Sequence, residues 1–166
     1  MINVLFVCLG NICRSPLAEG IFSDKIKKRG IADLFNVDSC GTSQYHIGEQ
    51  PDPRTVANAK ENGIILDHEA RQFSKVDFKT FDYIVTMDKA NHEVIERHDQ
   101  NQHYVDKFYL MRDFDADFNG EDVPDPYFGG EAGFQHVFEI VDRSVESFLE
   151  FLIDKHDITA STSRVD

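Results

Sequence analysis

The chain has 166 residues, enough for one domain with a sizeable core, and its 41% hydrophobic and 28% charged residues match a soluble globule. A net charge of −13, from 17 basic and 30 acidic residues, argues against nucleic-acid or anionic-membrane partners and leaves a small anion only where the site makes its own positive field. No run reaches the ~18 apolar residues of a membrane helix, no basic stretch precedes the first apolar run as in a secretion signal, and three cysteines without scaffold spacing predict a reducing cytoplasm.

In chain order, Ile2–Cys8 is apolar on both faces and predicts a buried parallel strand. A helix is expected from Ser15 to about Arg29, with Ser15 as cap, Pro16 at the first helical position, and Leu17, Ala18, Ile21, Phe22 and Ile26 at helical spacing. Leu34–Ser39 predicts a second strand, followed by a loop marked by Gly41, Gly48, Pro51 and Pro53. Thr55–Asn62 predicts a short helix ended by Gly63. "FDYIVTM" (Phe81–Met87) predicts a third strand, Asp88–Arg97 a polar helix, and Tyr104–Met111 a weaker strand. Residues 113–130 form an acidic loop containing "PDPYFGG". The last helix carries one stripe of Phe134, Val137, Phe138, Val141, Val145, Phe148, Leu149 and Leu152. Neither a repeat nor a low-complexity linker interrupts this order, so residues 1–156 are expected to form one domain and 157–166 a flexible tail.

Strands alternating with helices predict an α/β fold, a doubly wound parallel sheet with helices on both faces. In such sheets ligands bind at the carboxyl ends of strands, near the point where strand order reverses. Cys8 stands at such an end, and "VCLGNICRSP" (Val7–Pro16) follows it into the helix. A short loop of this kind points backbone N–H groups into one concavity, and the helix start adds the positive end of its dipole. Gly10 and Asn11 tolerate the left-handed turns of an anion nest. Arg14 supplies a planar fork for two oxygens of a tetrahedral oxyanion. The same field favours a thiolate at Cys8, which beneath a bound phosphoryl group becomes an in-line nucleophile, and Ser15 can hydrogen-bond that thiolate. The competing explanation is a buried Cys8 with Arg14 as a surface cation; it requires strand, turn, helix start and switch-point placement to coincide by accident.

Thiolate attack on a phosphate monoester also needs a proton donor for the leaving oxygen. Asp125 lies between two prolines, with Glu121 and Asp122 nearby, and an anionic substrate would favour its protonated form. The residues alone fit equally an Asp-Pro turn with Tyr127 and Phe128 packed on the core. Two further motifs carry less. "DADFNG" (Asp115–Gly120) matches half a calcium loop, but Pro126 stands where a bidentate Glu belongs, leaving an acidic surface loop. "HEVIERH" (His92–His98) would need a His at Glu96 to bind zinc on a helix. Cys40 is expected to be a packed or semi-exposed thiol, and no Gly-x-Gly-x-x-Gly supports dinucleotide binding; neither cofactor nor metal is expected.

"VCLGNICRSP", "HEARQ" (His68–Gln72) and "DPYFGG" (Asp125–Gly130) together resemble the low-molecular-weight protein tyrosine phosphatases, from about Ile2 to Ile153. The resemblance implies a four-stranded parallel sheet and a metal-free, two-step hydrolysis of phosphotyrosine through a cysteinyl-phosphate. It makes Cys8 the nucleophile, Arg14 the transition-state clamp and Asp125 the general acid and then base. Leu9, Gly10, Asn11, Ile12, Cys13 and Ser15 would cradle the phosphate, braced by hydrogen bonds of Asn11, Ser15, Ser39 and His68. Cys13 matches a second loop cysteine that forms a reversible disulfide with the nucleophile under peroxide. Tyr45, Tyr127 and Phe128 would wall a slot for an aromatic ring, with Tyr45 where many members carry Trp and Phe128 replacing a phosphorylatable Tyr. The implied partners are a tyrosine-phosphorylated protein and inorganic phosphate or other oxyanions, with the chain a monomer or weak homodimer in the cytoplasm. Three rivals differ in specific residues. An arsenate reductase of this fold needs two relay cysteines outside the loop, and only Cys40 is there. The protein-arginine phosphatase branch carries Thr where this chain has Ile12. A phosphopeptide-binding module would not need both Cys8 and Asp125.

Overall fold

The amino-terminal apolar run becomes β1 (Ile2–Cys8), the inner strand on which the architecture is hung. The structure, a computed structural model, describes residues 1–117, 119–126 and 131–159. On one side β1 pairs in parallel with β2 (Phe35–Gly41), and on the other with β3 (Tyr83–Thr86), which in turn pairs with β4 (Phe108–Leu110). The order is β2-β1-β3-β4, all parallel, as the alternation of elements predicts. The helices are α1 (Arg14–Lys28), α2 (Pro53–Glu61), α3 (Asp77–Thr80), α4 (Lys89–His98) and α5 (Glu131–Lys155).

Successive side chains of β1 point to opposite faces, and both faces are covered. Val4, Phe6 and Cys8 face the larger core, built with Ile21 and Phe22 of α1 and Val141, Val145, Phe148 and Leu149 of α5. Leu5 and Val7 face a smaller core with Phe78 of α3 and Ile95 of α4. In the larger core Phe6, Phe22 and Phe148 form a triangle with ring centroids 5.8, 6.2 and 5.9 Å apart. Burying each ring fully contributes about 1.5–3 kcal/mol. This explains the stripe on the last helix: α5 is the lid of that core. The packing continues past Lys155, where the Tyr83 hydroxyl lies 2.7 Å from His156 Nε2 and Ile158 rests on the larger core. Residues 160–166 of the expected tail lie outside the described residues.

Three local expectations are corrected. Ser15 does not cap α1; Cys13 takes the capping position without a side-chain bond, and Pro16 sits at the third helical residue. The hydroxyl of Ser15 is drawn into the loop instead. The helix expected from Thr55 starts at Pro53, because Asp52 accepts from the Arg54 N–H at 2.9 Å and Pro53 fits the first helical position. Asp115 is not part of an acidic surface; it is 3% exposed, held by Arg112 and Arg143.

Candidate active site

β1 and β3 are the neighbours between which strand order reverses, and the chain leaves their carboxyl ends in different directions, opening a crevice there. Residues 9–13 wrap around the carboxyl end of β1 and feed α1. Cys8 is buried at their base. Its Sγ lies 2.9 Å from Ser15 Oγ and accepts from the Asn11 backbone N–H at 3.3 Å. Ser15 Oγ also accepts from Asn11 Nδ2 at 2.8 Å, and its own proton can point at sulfur or at the Cys40 carbonyl oxygen 3.3 Å away. Two donors and the α1 dipole therefore converge on Cys8, an arrangement that stabilises a thiolate.

Asn11 holds the turn in two ways. Its φ of 56° is left-handed, which Asn adopts more readily than most residues. Its buried side chain spends all its bonding capacity inward: Nδ2 donates to Ser15 and to Ser39 Oγ (3.0 Å), and Oδ1 accepts from His68 Nε2 (2.6 Å) and the Arg71 N–H (3.0 Å). The predicted braces Asn11, Ser15, Ser39 and His68 are thus brought together in one network. Gly10 serves differently from the expected left-handed turn: a Cβ there would meet His46 Cδ2 at 3.0 Å. Gly41, at the end of β2, is more constrained, since a Cβ would strike Leu9 O at 2.7 Å.

The brace has a second layer that sequence reasoning missed. With Nε2–H given to Asn11, neutral His68 presents a lone pair at Nδ1, 3.3 Å from Glu19 Oε1. Glu19 Oε1 is buried with no hydrogen-bond partner among the described residues, so a proton held by either group would join the two. Burial, partly offset by a hydrogen bond to Ser39, pushes the Glu19 carboxyl up to about 7, and burial pulls His68 below its ordinary value. Glu19 therefore carries that proton at mildly acidic pH. Glu19 is one helical turn beyond Ser15, a spacing that could have flagged it.

Arg14 is 4% exposed. Its Nη1 donates to Asp88 Oδ2 at 2.6 Å and to Val123 O at 3.0 Å, while Nη2 lies 3.8 Å from Asp125 Oδ2. Burial alone would lower its pKa, but Cys8, Asp88 and Asp125 more than offset this and raise it, so the fork stays charged. Asp88 lies two residues past the end of β3, beside the end of β1; an acid at that strand end is the signal that could have identified it. Asp125 itself stands at the mouth, its side chain 38% exposed.

These groups line a pocket of about 210 Å³ bounded by Cys8, Leu9, Gly10, Ile12, Cys13, Arg14, His46 and Asp125. Ile12 and Cys13 are backed by Ala70 and by Phe134 of α5. Cys13 is a buried free thiol whose pKa burial pushes up to about 12, with Cys8 an electrostatic neighbour. Tyr45 is 81% exposed and does not line this pocket; the wall from its loop is His46, which sequence reasoning missed, held 2.5 Å from Glu49. The predicted walls Tyr127 and Phe128 lie outside the described residues. Cys40 is fully packed in the smaller core.

The profile of the low molecular weight phosphotyrosine protein phosphatases matches residues 3–158. The low molecular weight phosphotyrosine protein phosphatase of Schizosaccharomyces pombe is 45% identical over 151 residues, covering 90% of this chain and 96% of that one. Among solved structures, a protein tyrosine phosphatase from Entamoeba histolytica superposes with a TM-score of 0.89 at 37% identity, over 95% of this chain and 100% of its own. A Drosophila arginine phosphatase gives a TM-score of 0.80 at 34% identity, over 90% and 96%. The chain belongs to the low molecular weight phosphotyrosine protein phosphatase family.

Proposed function

We propose that this protein hydrolyses phosphotyrosine in proteins, and small aryl phosphates, through a cysteinyl-phosphate. The observation that carries this is one small pocket in which a donor-stabilised Cys8 sulfur, the Arg14 fork and the Asp125 carboxyl meet. The phosphoryl group sits over the loop N–H groups with two oxygens on Arg14. The Cys8 thiolate attacks phosphorus, the phosphorus–oxygen bond to the aryl group breaks, and Asp125 gives its proton to the leaving oxygen. Water then attacks the phosphocysteine, Asp125 takes the water's proton, and the thiolate leaves with Ser15 hydrogen-bonded to it. Phosphate departs as product.

A 210 Å³ pocket is below the roughly 300–1,000 Å³ of drug-sized ligand sites and suits a phosphoryl group with one ring. Apolar Ile12 in its wall favours an aryl group over a guanidinium, which matters because an arginine phosphatase shares the fold. The expected setting is the cytoplasm, with the chain a monomer or weak homodimer; no helix among the described residues is long and apolar enough to cross a membrane. Redox control through a Cys8–Cys13 disulfide belongs to the same proposal; it is implied by the resemblance of the loop to the family and supported by Cys13 being a buried free thiol with Cys8 as its electrostatic neighbour. Peroxide oxidises the Cys8 thiolate to a sulfenic acid, and Cys13, after losing its proton, displaces hydroxide to form the disulfide, which thiols reduce. The test is kcat/KM on matched phosphotyrosine, phosphoserine and phosphoarginine peptides with EDTA present. Preference for phosphotyrosine by 10²-fold or more is expected; preference for phosphoarginine would overturn the substrate assignment.

A further inference from the structure

Asp125 hangs on a segment tied at the pocket by Arg14, which donates to the Val123 carbonyl at 3.0 Å, and tied again away from the pocket. Arg112, just after β4, is 5% exposed yet fully charged in chemistry. Its Nε donates to Asp115 Oδ2 at 3.1 Å and its Nη1 to the Asp122 carbonyl at 3.0 Å. Its Nη1 also lies 3.5 Å from Glu121 Oε2. Asp115 is gripped from the other side by Arg143 of α5, whose Nη2 donates at 3.0 Å and whose Nε lies 3.2 Å from both carboxylate oxygens. The next residues are pinned as well: Asp122 Oδ1 accepts from the Lys89 N–H at 2.9 Å, and Val123 N–H donates to Met87 O at 2.8 Å.

A chain of contacts thus runs from α5 through Arg143, Asp115 and Arg112 to the backbone at Asp122. Pro124 and Pro126 flank Asp125 and restrict the remaining torsions, so the placement of residues 122–123 sets where the carboxyl points. Arg112 is not among the described residues that line the pocket. A core that needed only stability would fill this place with an apolar side chain, since buried ion pairs seldom add net stability. We propose that Arg112 is a positioning residue for the acid step: its fork, anchored on Asp115, fixes the Asp122 carbonyl and through it Asp125. This rests on Asp125 being the general acid.

The experiment measures kcat/KM for a series of aryl phosphates, from p-nitrophenyl (good leaving group) to phenyl (poor), on the full chain. Wild type, Arg112→Lys, Asp125→Asn and the double variant are compared. Lysine keeps a cation beside Asp115 but cannot also hold the carbonyl. Misplacing a reacting group by ~1 Å costs up to about 10²-fold. The expected loss in Arg112→Lys is therefore ~10-fold or more for phenyl phosphate and under ~3-fold for p-nitrophenyl phosphate. The double variant should fall no further than Asp125→Asn. Equal losses across the series, or losses that multiply in the double variant, would overturn the proposal. If Asp125→Asn itself shows no leaving-group dependence, the acid assignment fails and takes this inference with it; dependence in Asp125→Asn but not in Arg112→Lys rejects the inference alone. Should Arg112→Lys not fold, Arg143→Lys loosens the same chain from its more exposed end. It must then show the same leaving-group pattern at smaller amplitude, and a flat profile would overturn the proposal.

Discussion

The two halves of the pocket are held by different physics. The nucleophile side is a buried lattice of neutral hydrogen bonds, with Asn11 at its hub and Ser15, Ser39, His68 and Glu19 around it. The acid side hangs on charges, Arg112 and Arg143 about Asp115 and Arg14 about Asp88, and ends in an exposed carboxyl. The difference follows from their tasks. A thiolate needs fixed donors shielded from competing water, where each bond is worth more. A proton carrier that serves a departing phenol and then an incoming water must face solvent. The lesson is that rigidity is placed where charge is stabilised, and access where protons move.

The largest expected break in this contrast is at Arg14, the one group both halves share. Arg14→Lys keeps the charge beside Asp88 but loses the bidentate fork. A transition-state arginine is worth about 10³–10⁵ in kcat, so a loss of that order is expected, with phosphate binding weakened far less. Steady-state kinetics beside phosphate affinity by calorimetry would show it; a loss confined to KM would mean that Arg14 only binds.

Next is the lattice hub. Asn11→Ala strands donors and acceptors at Ser15, Ser39, His68 and Arg71 and leaves an alanine in a left-handed turn. At about 1–3 kcal/mol per unsatisfied buried group and about 1–2 for the turn, a stability loss of several kcal/mol is expected in urea unfolding. Stability within 1 kcal/mol of wild type, by that ~1 kcal/mol yardstick for a single bond, would show that the lattice is not cooperative.

Glu19 gives a smaller, pH-dependent effect. A carboxyl raised from 4.5 to about 7 binds more protons folded than unfolded between those values. Its contribution is fully present below about pH 4.5 and is lost as pH rises to about 7. The loss is at most about 3 kcal/mol, at 1.36 kcal/mol per pKa unit. In Glu19→Gln the amide carries no titrating proton and can donate to His68 Nδ1 whenever that imidazole is neutral, so the difference between the two stability curves should grow across that window. Parallel curves would refute the shared proton. Smallest is Gly10→Ala. The new methyl meets the partly exposed His46 ring rather than backbone, so about 1 kcal/mol or less is expected, read as a modest rise in KM. A collapse of folding would mean that His46 is fixed more firmly than its surroundings suggest.

What the sequence made legible divides along the same line. The sheet, the loop and α5 were readable because each leaves a local trace: an apolar run, a Cys-to-Arg loop before a helix, a stripe at helical period. Cys8 and Arg14 were placed correctly in one pocket because six residues of chain force their proximity. Asp88, Glu19, His46 and the Arg112–Asp115–Arg143 chain were not read, because their partners lie 28 to 74 residues away or depend on which way a short loop turns. α3 was missed because four residues hold no period. Ser15 reads as a cap in the sequence because cap and thiolate donor call for the same hydroxyl at the same place; only the structure shows where it points.

The most direct measurement is a rapid-mix time course of p-nitrophenyl phosphate hydrolysis at mildly acidic pH, with the protein acid-quenched during turnover and its phosphorylated residue mapped. A burst equal to the enzyme concentration, phosphate on Cys8, and loss of both in Cys8→Ser are the predicted results. Steady turnover with no phosphoenzyme, or turnover that survives Cys8→Ser, would contradict the cysteinyl-phosphate route.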